Sequence, residues 1–273
     1  MEKKKTSFLF KIIVALIRLF YGKTEIIGLE NLPEKDAILV ANHAQMNGPI
    51  VGELFLPDNC YIWCAGQMMH LKEVPQYAFT DFWSQKPKWI QPFFKLVSYV
   101  IAPLSVVLFN NARTIPVYHD MRIMSTFKSS MQMLQKGANL LIFPEKDETY
   151  NNILYAFQDK FIDLARLYYK KAGKELVFVP MYVAPAFHKA YIGKGITFHA
   201  SCLDDDVIHS NNPKYESAID IERNRICTYL MEEITDIARK LPEHTVIPYR
   251  NLPKKYYLTN KDVTEVPHEK SRS

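Results

Sequence analysis

Short, continuously apolar runs recur along the chain, separated by segments of helical character, and this recurrence constrains the fold most. The runs are ILVA (38–41), YIWCA (61–65), TIPVY (114–118), NLLIF (139–143) and LVFVPMYV (176–183). A strand without polar alternation is buried on both faces, the condition of a parallel sheet covered by helices. Met121 to Gln135 reads as a helix capped near Gly137, and Ala156 to Lys171 as another ended by Gly173. ITFHA (196–200) suggests a further strand and Lys214 to Lys240 a terminal helix. The βαβα order predicts an α/β fold, a single domain with a mostly parallel central sheet flanked by helices. At 273 residues and 48% hydrophobic composition the chain can fill such a core. Residues 1–22 are expected to form an amphipathic helix, 23–241 the α/β domain, and 242–273 a polar, poorly ordered tail.

The first run leads into Asn42-His43, with a helix expected near Pro49. Parallel α/β sheets gather ligands at the carboxyl ends of their strands, so His43 is a candidate functional group, although a loop-capping histidine would read the same locally. The formal charge of +5 is modest and its cations are spread among 29 acidic residues, which argues against nucleic acid as a partner and leaves an anionic bilayer open. Cys60, Cys64, Cys202 and Cys227 lack metal-ligand spacing and read as reduced core thiols in a cytoplasmic setting; no metal site is expected. G-x-S-x-G, P-loop, G-x-G-x-x-G and H-E-x-x-H patterns are absent, so nucleotide chemistry has no support.

The segment SFLFKIIVALIRLFY (7–21) is apolar or aromatic except at Ser7, Lys11 and Arg18. Lys4, Lys11 and Arg18 are spaced by seven, so at about 100° per residue they form one basic stripe on a greasy helix. Its fifteen residues would extend about 22 Å, short of a hydrocarbon core of about 30 Å. The expectation is a helix lying in the membrane interface, with basic residues meeting anionic headgroups. A second greasy stretch runs from Lys88 to Phe109. Its uncharged part, Leu96 to Phe109, contains Pro103 and is also expected to be too short to span; a shallow membrane element, an acyl-pocket wall and a buried helix pair all fit it.

The segments IIGLENLPEKDAILVANHAQ, ARTIPVYHD, LQKGANLLIFPEKDE, AFQDKFIDLA and VFVPMYV follow one another in an order and spacing that resembles the glycerolipid acyltransferase superfamily, specifically the lysophosphatidic acid (1-acylglycerol-3-phosphate) acyltransferases. The resemblance covers roughly Thr24 to Val183. It implies a peripheral enzyme on the cytoplasmic face of a phospholipid membrane, with acyl-CoA or acyl-carrier protein as co-substrate and no resident cofactor. The acceptor would be a lysolipid or polyol phosphate. His43 would deprotonate the acceptor hydroxyl that attacks the thioester, a task suited to an imidazole with an ordinary pKa of about 6.5.

The sequence departs from that pattern at several positions. The family carries an aspartate five residues after its histidine, where this chain has Gly48 with Asn47 beside it. Asn47 also suits the start of a helix. The family's F-P-E-G, followed by a small residue and arginine, appears as FPEKDE, keeping Glu145 but bringing Lys146 in place of glycine; His119 stands where arginine is usual. Carried over residue by residue, the resemblance implies His43 as the catalytic group, with Glu145, Lys146, Arg113, His119 and Asn47 lining the substrate site. Two classes follow: an acyltransferase with an altered dyad, or a non-catalytic relative that binds acyl lipids or a partner at the membrane.

Overall fold

The computed structural model describes residues 7–118, 120–204 and 217–262. Its strands are β1 Glu25–Ile27, β2 Ala37–Ala41, β3 Cys60–Ala65, β4 Thr114–Val117, β5 Asn139–Ile142, β6 Glu145–Thr149, β7 Tyr155–Phe157, β8 Val177–Ala184, β9 Lys189–Ile192 and β10 Ile196–Thr197. The helices are α1 Phe8–Tyr21, α2 Asn47–Phe55, α3 Val74–Ala78, α4 Gln91–Asn111, α5 Ile123–Gln135, α6 Asp163–Ala172 and α7 Ala218–Lys240. The main sheet runs β1-β9-β8-β2-β5-β3-β4. Strands β8, β2, β5, β3 and β4 are mutually parallel, and β9 and β10 pair antiparallel to β8. Strands β6 and β7 form a separate antiparallel hairpin. The α/β class with a mostly parallel sheet flanked by helices is therefore present.

The central strand β2 explains the continuous apolar runs, because all of its residues are buried. Ile38 and Val40 enter a core layer with Leu140, Ile142 and Phe178, covered by Leu134 of α5, Leu164 of α6 and Leu230 of α7. Leu39 and Ala41 enter the opposite layer with Leu141, Val179 and Met181, covered by Val51 of α2. Helices on both faces hide both sets, so no polar alternation is needed.

Three expectations change. Helix α4 runs unbroken through Pro103, and its 21 residues extend about 31 Å. Among the described residues it is the one helix long and apolar enough to cross a membrane. Its inner side, however, is committed to protein: Ser98, Ala102 and Ser105 are buried, and the Ser105 hydroxyl donates to the Met68 carbonyl at 2.9 Å. The segment read as one helix from Ala156 divides into the end of β7, a 3-10 turn at Lys160–Ile162 and α6, because Phe157 pairs with Glu145 across the hairpin. The supposed loose tail is folded back as a strap through Asp262: Thr245 bridges Thr259, and the buried Asn260 side chain donates to the carbonyls of Ala238 and Leu241 at 2.8 and 3.2 Å.

Helix α1 starts where the Ser7 hydroxyl accepts from the Phe10 amide. Phe10 is buried and Ile13, Val14, Ile17 and Tyr21 are half-buried. At about 100° per residue these occupy one side, while Phe8, Leu9, Ile12, Leu16, Leu19 and Phe20 form a free apolar face edged by the exposed Lys11 and Arg18. Lys4, the third member of the basic stripe, lies outside the described residues. The Ser7 amide donates to Asn111 Oδ1 at 2.9 Å, which joins the start of α1 to the end of α4. Helix α4 adds exposed Phe93, Leu96, Tyr99, Val100 and Leu104.

Candidate active site

The carboxyl ends of β2, β3, β4 and β5 open into a cleft of about 210 Å³. Strand β2 delivers His43 to it. Asn42 prolongs the β2–β8 ladder with its side chain, accepting from Val183 N at 2.7 Å and donating to Val183 O at 3.1 Å. The chain then turns sharply away from the sheet through Ala44 and Gln45, both left-handed at φ 45° and 56°. Consecutive non-glycine residues in that region cost on the order of 1–3 kcal/mol each, so the packing around His43 must hold this turn.

Val40 pairs with Ile142, which sets the segments following β2 and β5 side by side. Glu145 reaches across this seam: its Oε2 accepts from His43 N at 2.6 Å and its Oε1 from Tyr155 N at 3.1 Å. Burial pushes the carboxyl up to about 7, against the lowering pull of those two N–H groups. Glu145 thus ties the His43 backbone to the hairpin at Tyr155, one oxygen to each N–H, and lines the cleft beside them.

The His43 ring meets Phe143 edge-on at 5.0 Å between centroids and Tyr249 at 5.9 Å. Its Nδ1 is buried and lacks a hydrogen-bond partner among the described residues. Burial against this apolar wall holds the imidazole down to about 4, with the Gln45 backbone opposing the shift only in part. At neutral pH the ring is therefore uncharged, the same burial makes it a weaker base than an ordinary imidazole, and among the described residues no carboxylate pairs with it to stabilise its imidazolium. Gly48 explains why. A Cβ there would lie 2.6 Å from the His43 carbonyl oxygen and 2.6 Å from the Phe143 ring, so the position closes against any side chain.

The remaining sequence candidates lie elsewhere. Arg113 precedes β4, at the edge of the sheet opposite the cleft, and its guanidinium donates to the carbonyls of Gly52 and Glu53 at 3.0 and 2.5 Å and pairs with the Glu53 carboxylate at 3.5 Å. It caps the end of α2 and does not reach the cleft rim. Asn47 donates to the Ala44 carbonyl at 2.8 Å and accepts from the Tyr21 hydroxyl at 3.1 Å, so it ties the His43 turn to α1 instead of lining the cleft. It is the first residue of α2, with Met46 as the cap. Lys146 pairs with Glu148 at 2.6 Å on the exposed hairpin. A further cation beyond β4, Arg122, is bound to Asp120 and Glu73 at 2.8 and 3.0 Å. His119 lies outside the described residues.

Residues that the sequence reading did not single out complete the cleft: Tyr77, Gln158, Lys160 and Tyr249. Lys160 is the cleft's lysine, and no ion pair engages it among the described residues. Trp63, Phe127 and Phe161 make much of the wall apolar. Burial pushes the thiol of Cys64, another lining residue, up to about 12, which leaves no thiolate nucleophile at neutral pH. Cys64 also borders an apolar pocket of about 60 Å³ beneath α1 and α4, lined by Val14, Ile17, Ile50 and Phe109. No cluster of three or more His, Cys, Asp or Glu side chains among the described residues is arranged to hold a metal.

No family model matches the chain, and no curated protein matches it in sequence. Among solved structures it is similar to the crystal structure of the 1-acyl-sn-glycerophosphate (LPA) acyltransferase PlsC from Thermotoga maritima, at a TM-score of 0.39 and 12% identity, covering 82% of this chain and 80% of that one.

Proposed function

We propose that the protein is a membrane-surface acyltransferase that moves a fatty acyl group from acyl-CoA or acyl-carrier protein to a hydroxyl of a glycerol phosphate or lysophospholipid-like acceptor. The observation that carries this reading is the convergence of His43 and Glu145, about a hundred residues apart in sequence, at one strand-end cleft. The neutral imidazole takes the acceptor's proton, the hydroxyl oxygen attacks the thioester carbonyl carbon, and the tetrahedral intermediate expels the thiolate, which receives that proton from His43. Lys160 is the cation available to an anionic headgroup. The free apolar faces of α1 and α4, with Lys11 and Arg18 at their edge, suit the cytoplasmic face of a bilayer. Because the inner side of α4 packs on protein, the helix lies along the surface rather than crossing it.

Gly48 favours a second reading, a non-catalytic binder of acyl lipids, since the position cannot accommodate the carboxylate that would support His43. Incubating the full chain with acyl-CoA or acyl-carrier protein and a panel of lysolipids and glycerol phosphates, with mass spectrometry of the products, separates the two. New ester supports the enzyme. Retention of acyl lipid by the protein without ester from any acceptor supports the binder.

A further inference from the structure

The strap that folds back after α7 does more than close the chain. It brings Tyr249 onto the His43 ring, and it is fastened on three sides of the cleft. Arg250 pairs with Asp147 of the β6–β7 hairpin. Asn251 donates to the Asp81 carbonyl at 3.2 Å beyond α3. Gln45, in the strained turn next to His43, donates to the Tyr257 hydroxyl at 2.9 Å and to the Arg250 carbonyl at 3.4 Å.

We propose that Tyr249 is a positioning residue, which holds the His43 imidazole edge-on against Phe143 and fills the orienting role that no carboxylate can take. The ring–ring angles are 74° to Tyr249 and 62° to Phe143, so His43 makes edge-type contacts with two aromatic rings. A T-shaped contact fixes a ring by shape and quadrupole without supplying a countercharge. Tyr155 backs Tyr249 at 5.7 Å. The other titratable groups around the ring do not supply one either. Glu145 faces backbone N–H groups, Tyr77 and Cys64 are held in their neutral forms by burial, Asp147 is taken by Arg250, and Lys160 is itself a cation.

This inference rests on reading His43 as the working group of the cleft, but its test does not require turnover. The full chain is labelled at histidine, His43 is assigned by loss of its signal in His43→Gln, and its ring resonances are followed by NMR against pH. Tyr249→Ala is expected to raise the His43 midpoint by about one unit or more and to shift its ring resonances, whereas Tyr249→Phe keeps both near the starting values. Gln45→Ala with Arg250→Gln, which cuts two of the strap's three fastenings but keeps the aromatic ring, is expected to move the midpoint in the same direction by less, and it serves if Tyr249→Ala does not fold. An unmoved midpoint in a folded Tyr249→Ala variant, or in the folded Gln45→Ala, Arg250→Gln double variant, overturns the proposal. Acyl transfer with an unmoved midpoint leaves the proposed function standing and removes the clamp; a moved midpoint without transfer does the reverse.

Discussion

Gly48 stands where the resemblance leads one to expect an aspartate, and its surroundings decide what an engineered carboxylate would do. Its φ is unremarkable, so conformation is no obstacle, but the His43 carbonyl and the Phe143 ring occupy the space of a Cβ. Gly48→Ala should therefore cost about 1–3 kcal/mol through overpacking, and Gly48→Asp more, since it also buries a charge. Thermal unfolding checks this, and a Gly48→Asp chain as stable as the wild type would contradict the described packing. The titrations of His43 and Glu145 make a second test. In the fold Glu145 stays protonated up to about 7 against an ordinary 4.5, so folding takes up a proton between those values and its contribution falls as pH rises. His43 stays neutral down to about 4 against an ordinary 6.5, so the unfolded chain binds the extra proton and this contribution rises with pH. The two slopes oppose one another from about 4.5 to 6.5. Urea unfolding of His43→Phe across that window should show stability decreasing with pH, and Glu145→Gln should show the opposite slope. Lys160 supplies a third prediction: Lys160→Gln should raise KM for an anionic acceptor severalfold and leave an uncharged one unaffected, whereas Lys146→Gln should change neither.

At the scale of elements, helices α1 and α4 carry apolar faces that no described residue covers, the surface proposed to meet a bilayer. Fully burying a side chain such as Leu96 or Val100 is favourable by about 1.5–3 kcal/mol, enough for a few residues on each helix to hold the protein on a vesicle. Leu96→Ser with Val100→Ser should shift the protein toward the supernatant in sedimentation with anionic liposomes while leaving its melting temperature nearly unchanged; undiminished pelleting would remove α4 from the membrane contact. The parallel strands were readable because burial on both faces leaves an unbroken apolar run, as in β2. The length of α4 was not, because Pro103 and the charge-free stretch from Leu96 hid the turns beginning at Gln91, whose first-turn Pro92 starts the helix. Ala156 to Lys171 misled for another reason: its apolar spacing suits a helix, but the pairing of Phe157 with Glu145 makes its first residues a strand and leaves Lys160 at the cleft.

On the scale of the whole molecule, the candidate site joins segments that no local pattern connects. His43 and Glu145 were visible because each follows an apolar run, and parallel pairing then places strand ends together. Tyr249 was not visible, since its segment is short, lacks strand or helix periodicity and is fastened by single side chains; the apolar residues Val246 and Ile247 shortly before it were the available hint. Arg113 was placed at the substrate site by the resemblance alone; its position before β4, at the strand's amino end, sets it opposite the cleft. Acyl transfer through His43 in this assembled cleft is the proposed activity. It is tested most directly by the rate of ester formation on liposomes by the full chain and by His43→Ala, with an isotopically labelled acyl thioester as donor. The expected result is ester from the wild type and a loss of about a hundredfold or more in a folded His43→Ala variant; equal rates from the two chains, or no ester from either, would contradict it.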